Sequence, residues 1–147
     1  SDAKKFIDTY LETYPGIKDY MNNTIERAKE KGYVRTLFNR KRNIPELKNP
    51  VYMIRQGGER IALNTPIQGT SADIIKLAMV KVYNAFKEKK LKSKMIIQVH
   101  DELIFDTIES ELDEVKAIVK NVMENVYKLD VPLKVDINYG KSWYEAK

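Results

Sequence analysis

Apolar residues recur at helical spacing from the start of the chain, where Phe6, Ile7, Tyr10, Leu11 and Tyr14 share one face and Pro15-Gly16 ends the run. A second helix is expected from about Ile17 through Tyr20, Met21, Thr24, Ile25 and Ala28, with Gly32 as its terminator. Between Tyr33 and Leu47 the pattern changes. Val34, Thr36 and Phe38 alternate with Arg35, Arg40, Lys41 and Arg42, which predicts an extended or looped basic segment closed by Pro45. Helical spacing resumes near Gly58 and continues to about Lys90, with Pro66 and Gly69 predicting a kink or a break between two helices. Beyond them Ile75, Met79, Val82 and Phe86, flanked by Ala72 and Ala78, form an apolar stripe suited to packing on a sheet. Two β-favouring runs follow, Ile96–Val99 and Leu103–Phe105, around His100-Asp101. Ser110 and Asp113 have the spacing of a capping box before a helix whose buried stripe is Leu112, Val115, Ile118, Val119, Val122 and Val126. After Pro132, Leu133, Val135 and Ile137 alternate with Lys134, Asp136 and Asn138 as in a last strand ending at Gly140. The order of elements predicts an α+β fold, with helices covering one face of a small antiparallel sheet.

Composition refines this picture in a few respects. The 147 residues, 43% of them hydrophobic, suit one compact unit, and no repeat or low-complexity linker suggests a second autonomous domain. With no cysteine, disulfides, thiolate metal sites and cysteine nucleophiles are excluded. No apolar run approaches the length of a membrane span, and Ser1-Asp2-Ala3-Lys4-Lys5 lacks the apolar core of a secretory signal, so a soluble intracellular protein with no membrane partner is expected. The net charge of +5 is compatible with nucleic acid without demanding it. The position of the charge is more informative.

Candidate chemistry is concentrated in three places. The only histidine and two adjacent carboxylates, His100-Asp101-Glu102, lie between the two β-runs. Carboxylates on half-buried strands need a compensating cation or donor, so something positive is expected beside Asp101, and a divalent cation such as Mg2+ is one candidate. The alternative is a hairpin turn facing water. Arg60, Asn64 and Gln68 fall at i, i+4 and i+8, so a continuous or gently bent helix presents all three on one face, either as an ordinary wet surface or as a reader of duplex acceptors. Arg40, Lys41 and Arg42 are either solvated charges or phosphate contacts.

The run Gln98-Val99-His100-Asp101-Glu102-Leu103 resembles the last catalytic motif of family A DNA polymerases. Three further segments agree in order and spacing: Gly32-Tyr33-Val34-Arg35-Thr36-Leu37-Phe38-Asn39-Arg40-Lys41-Arg42, Glu59-Arg60-Ile61-Ala62-Leu63-Asn64-Thr65-Pro66-Ile67-Gln68-Gly69-Thr70, and Ala72-Asp73-Ile74-Ile75-Lys76-Leu77-Ala78-Met79. Gly140-Lys141-Ser142-Trp143 resembles the family's C-terminal end. Asn39 departs from the pattern, since the family more often has glycine before its basic triplet.

The resemblance implies the C-terminal part of a polymerase domain, with later fingers helices and the basic segment over about 1–70 and a portion of the palm over about 71–147. The family's other metal-binding aspartate, and the fingers helix whose lysine and aromatic residue hold the incoming nucleotide, have no counterpart here. By resemblance Asp101 is a ligand of the catalytic metal, Glu102 a neighbouring carboxylate in an outer-shell role, and His100 a donor near the primer terminus. Arg60, Asn64 and Gln68 match positions lining the minor groove, where acceptors common to all correct pairs are sensed. The implied cofactor is Mg2+, in a two-metal site of the complete enzyme. The implied partners are primer-template DNA, deoxynucleoside triphosphates and the remainder of the polymerase chain, in the bacterial cytoplasm at the nucleoid. An open sheet edge left by the missing strand would favour self-association. Two other readings stand beside this one: a non-catalytic nucleic-acid-binding module, and a metal-dependent phosphohydrolase built on Asp101 and Glu102, which lacks a further acidic cluster.

Overall fold

The computed structural model describes residues 2–146, which fold as helices with two small antiparallel sheets. The chain divides into two compact units that meet in sequence at Thr70 and Ser71, in place of the single unit expected from composition. The physical reason is that the buried side chains close into two separate clusters.

In the first unit, α1 (Asp2–Thr13) and α2 (Pro15–Lys31) follow the expected spacing, with Pro15 opening the second helix in its first turn, where its missing N–H costs nothing. Gly32 ends α2 at φ 77°, a left-handed position that glycine occupies without a Cβ penalty, and its N–H donates to the Ala28 carbonyl at 2.8 Å. The basic segment is a hairpin of β1 (Tyr33–Arg35) and β2 (Lys41–Asn43), in which Tyr33 faces Asn43 and Arg35 faces Lys41. A short 3-10 turn, Pro45–Lys48, leads on to α3 (Tyr52–Glu88). Ala28, Val34, Ile44, Leu47 and Ala62 form the buried cluster, with Ile61 packed against it.

No break interrupts α3. Pro66 lies inside one continuous helix that also begins earlier than its apolar spacing suggested. The second unit contains the later part of α3, the hairpin of β3 (Lys94–Val99) and β4 (Glu102–Asp106), and α4 (Leu112–Glu124). The expected stripe is realised: Val82 and Phe86 are buried with Val115 and Val119 of α4, and Phe105 of β4 packs alongside, its ring centroid 5.7 Å from that of Phe86.

Two local expectations are corrected here. Ser110 does not cap α4, because the chain first makes a 3-10 turn at Glu109–Glu111 and Glu111 occupies the N-cap position without a capping bond. The Glu111 carboxylate is committed elsewhere, accepting the Ser93 hydroxyl at 2.6 Å and the amides of Lys92 and Ser93 at 3.0 and 2.9 Å. These donors, the Ser93 hydroxyl foremost, hold its carboxyl below the ordinary range. The segment after Pro132 forms no strand either. Leu133, Val135 and Ile137 do turn inward while Lys134, Asp136 and Asn138 are exposed, yet no second backbone pairs with them, and the Val135 N–H donates to the Glu124 carboxylate instead.

Candidate functional site

The basic hairpin is fastened to α3 at the helical turn that follows Pro66. Arg40 Nη2 donates to the Gly69 carbonyl at 3.0 Å, and Arg42 Nη1 donates to the Thr65 hydroxyl at 3.3 Å. The Leu37 N–H donates to Thr70 Oγ1 at 2.9 Å, and that hydroxyl in turn donates to the Pro66 carbonyl. Thr36 and Thr65 are buried in this contact, and a Cβ on Gly69 would lie 2.6 Å from Thr36 Cγ2, so only glycine admits the hairpin this closely. Lys41 stands over the Tyr33 ring, its Nζ 4.1 Å from the centroid. The triplet Arg40, Lys41 and Arg42 is thus partly engaged inside the protein while remaining exposed.

The turn of this hairpin explains the departure at Asn39. Its φ is 67°, a left-handed conformation that glycine adopts freely and asparagine tolerates better than most residues. The Asn39 side chain also accepts from Arg35 Nη1 at 2.9 Å, a bond that glycine could not make.

On α3, Arg60, Asn64 and Gln68 are exposed, and among the described residues none of the three side chains has a protein partner. Continuity through Pro66 places them on one face, spanning about 80° of circumference and about 12 Å of helix axis. Three long donors in one row, with their hydrogen-bonding capacity uncommitted, are free for a ligand.

In the second unit, His100 and Asp101 make the tight turn of the β3–β4 hairpin, with Val99 opposite Glu102 and Gln98 opposite Leu103. His100 has a φ of 52°, and its carbonyl accepts from Gln98 Nε2 at 2.5 Å. All three of His100, Asp101 and Glu102 are exposed. No cation of the chain pairs with either carboxylate among the described residues, so of the positive partners expected beside Asp101 no side chain fills the place. Asp101 in the turn and Glu102 at the first position of β4 both face water, as in the alternative of a water-facing hairpin turn, so neither is desolvated in this chain. No group of three or more His, Cys, Asp or Glu side chains gathers into a metal site among the described residues. The donor set still fits a hard cation, because Mg2+ is commonly held by one or two carboxylates with phosphate and water completing the shell.

Periodicity and motif reading missed the fastening residues Thr36, Thr65, Gly69 and Thr70. A weak signal was available, since a helix-interior glycine and two threonines flank Pro66, but their partners lie about thirty positions away in sequence.

Comparison with known proteins completes the description of the site. The family model for DNA polymerase family A matches residues 1–145. Over 146 residues the chain is 52% identical to DNA polymerase I of Caldicellulosiruptor bescii and 51% identical to that of Lactococcus lactis subsp. cremoris, each match covering 99% of this chain and 17% of the relative. Among solved structures it is similar to the POL domain of Pol1 from M. smegmatis in complex with DNA primer-template and dNTP, with a TM-score of 0.95 at 43% identity, covering 99% of this chain and 26% of that one. The chain therefore spans about a sixth of the length of these curated relatives. Among the described residues no helix is long and apolar enough to cross a membrane.

Proposed function

The chain belongs to DNA polymerase family A, and from that premise we propose that it supplies the C-terminal part of a DNA-directed DNA polymerase, joining a deoxynucleotide to a primer 3'-hydroxyl on a template. In this reading residues up to about 70 are the later fingers helices with the basic hairpin, and residues from about 71 are a portion of the palm. The observation that carries the reading is the turn at His100-Asp101-Glu102, which presents two carboxylates and an imidazole to solvent with no cation among the described residues paired with the carboxylates.

Each residue then has a definite task. Asp101 is the ligand this chain offers to Mg2+, and Glu102, at the first position of β4, steadies that ligand from beside it. Bound divalent metal lowers the pKa of the attacking hydroxyl and neutralises charge on the departing pyrophosphate. His100 donates to the primer terminus. Arg60, Asn64 and Gln68 direct donors at minor-groove acceptors present in every correct pair, sensing pair geometry without reading sequence. Arg40, Lys41 and Arg42 lie along the phosphate backbone. Primer-template DNA and deoxynucleoside triphosphates are the partners, consistent with the complex in which the M. smegmatis structure was solved.

One carboxylate pair is too little to hold two metals, so the 147-residue chain by itself should bind duplex DNA weakly and extend no primer. A templated extension assay with Mg2+ and four deoxynucleotides tests this. Clear extension by the pure chain would show that the chemistry needs nothing beyond it and would overturn the division of labour proposed here.

A further inference from the structure

A proline inside a helix removes one backbone donor and weakens the helix at the turn it occupies. In α3 that turn separates Asn64 from Gln68, two residues that must keep a fixed spacing and direction if they act on one surface. The chain places three non-local hydrogen bonds around this turn. Arg42 reaches Thr65, Arg40 reaches the Gly69 carbonyl, and Leu37 reaches Thr70, whose hydroxyl passes its own hydrogen to the Pro66 carbonyl. Buried Thr36 fills the space that the missing side chain of Gly69 leaves.

We infer that the β1–β2 turn is a splint across Pro66, and that Thr70, with Thr36, Arg40 and Arg42, acts as a positioning residue that sets Gln68 against Asn64 for discrimination between paired and mispaired primer ends. The inference rests on the reading of Arg60, Asn64 and Gln68 as the duplex face, and goes beyond it in giving two of the basic residues a second task. A phosphate contact alone changes affinity for every duplex alike. A splint changes the ratio between correct and incorrect termini, because only Gln68's aim is disturbed.

The test uses the full-length polymerase that carries this chain, with single-turnover extension measured on matched and mismatched primer ends. Thr70→Val keeps the side-chain volume and deletes the relay, and should change the matched-to-mismatched ratio about fivefold, the factor corresponding to one net hydrogen bond. The shift should have the same direction as that of Gln68→Ala. Thr70→Ser should restore the original ratio, and the double variant Thr70→Val/Gln68→Ala should be no worse than Gln68→Ala alone, since the two act through one side chain. Should Thr70→Val fail to fold, Arg42→Gln, which removes the guanidinium bond to Thr65 together with its charge, carries the same comparison, with salt dependence measured beside the ratio to separate phosphate contact from positioning. If Gln68→Ala shifts the ratio while Thr70→Val and Arg42→Gln leave it unchanged, or if the effects add, the splint is refuted and the duplex face stands. If Gln68→Ala itself leaves the ratio unchanged, the duplex face is refuted and the splint with it.

Discussion

The two hairpins of this chain are built on opposite plans. The β1–β2 hairpin carries cations and commits them: Arg40 and Arg42 are bonded to α3, Lys41 rests on Tyr33, and a glycine in the helix is reserved for the contact. The β3–β4 hairpin carries anions and leaves them uncommitted, its Asp101 and Glu102 exposed with no cation paired to them among the described residues. Both turns contain a non-glycine residue in the left-handed region, Asn39 at φ 67° and His100 at φ 52°. At Asn39 the side chain contributes a bond to Arg35, whereas the His100 imidazole makes no such bond among the described residues. Strain that is offset locally belongs to structure, and strain left without a local return is the kind that functional turns retain. The comparison agrees with the proposed reading, in which the first hairpin sets shape and the second serves the chemistry.

The largest effect is expected where the second hairpin has nothing of its own to lose. In the full-length polymerase, Asp101→Asn should lower the rate of nucleotide addition by about a thousandfold or more while primer-template affinity stays close to its original value, because the ligand matters most as charge develops. Single-turnover kinetics beside a binding isotherm would measure both. A rate within about tenfold of the original would remove Asp101 from the metal site.

A smaller contrast compares the hairpins by stability. Gly69→Ala forces a methyl against Thr36 and should cost about 1–3 kcal/mol. His100→Gly relieves a left-handed residue and should instead stabilise the chain by about 0.5–1 kcal/mol, after the entropy that glycine itself loses. Denaturant unfolding of the two variants reads both signs. Equal signs would mean that the two turns do not differ in the way described.

The smallest effect concerns Glu111, which ties the approach to β3 to the start of α4. Its folded carboxyl is held below the ordinary value of about 4.5, so its contribution is present above that value and is lost as pH falls through it toward the folded one. Melting temperatures should therefore fall more steeply on acidification for the original chain than for Glu111→Gln. Parallel curves would show that the clasp contributes nothing that titrates.

What was legible in the sequence was what depends on near neighbours. The stripes of α3 and α4, the glycine stop at Gly32 and the two strands around His100-Asp101 all follow from local periodicity and turn chemistry, and the structure contains them. Of the kink or break expected at Pro66 the break does not occur, and the hairpin that fastens the next turn lies too far away in sequence for local pattern to show it. The capping box at Ser110 failed because a 3-10 turn at Glu109–Glu111 moves the N-cap position on to Glu111, and the strand after Pro132 failed because alternation supplies an inward face but no pairing partner among the described residues. The identity of the acidic turn was readable only through its motif. Its exposure was one of two open alternatives in the sequence, because whether Asp101 and Glu102 lie on covered strands or at a turn and first strand position is not set by local pattern.

The central proposal is that Asp101, which no cation among the described residues approaches, holds a divalent metal in the complete polymerase. Bound Mn2+, counted by electron paramagnetic resonance in the full-length polymerase with primer-template and a non-reactive deoxynucleotide analogue, tests it without relying on activity. The account predicts that Asp101→Asn lowers the bound Mn2+ or weakens its affinity by about tenfold or more, whereas Asp106→Asn, at the far end of the strand that follows the turn, changes neither. Unchanged Mn2+ stoichiometry and affinity in Asp101→Asn would contradict it.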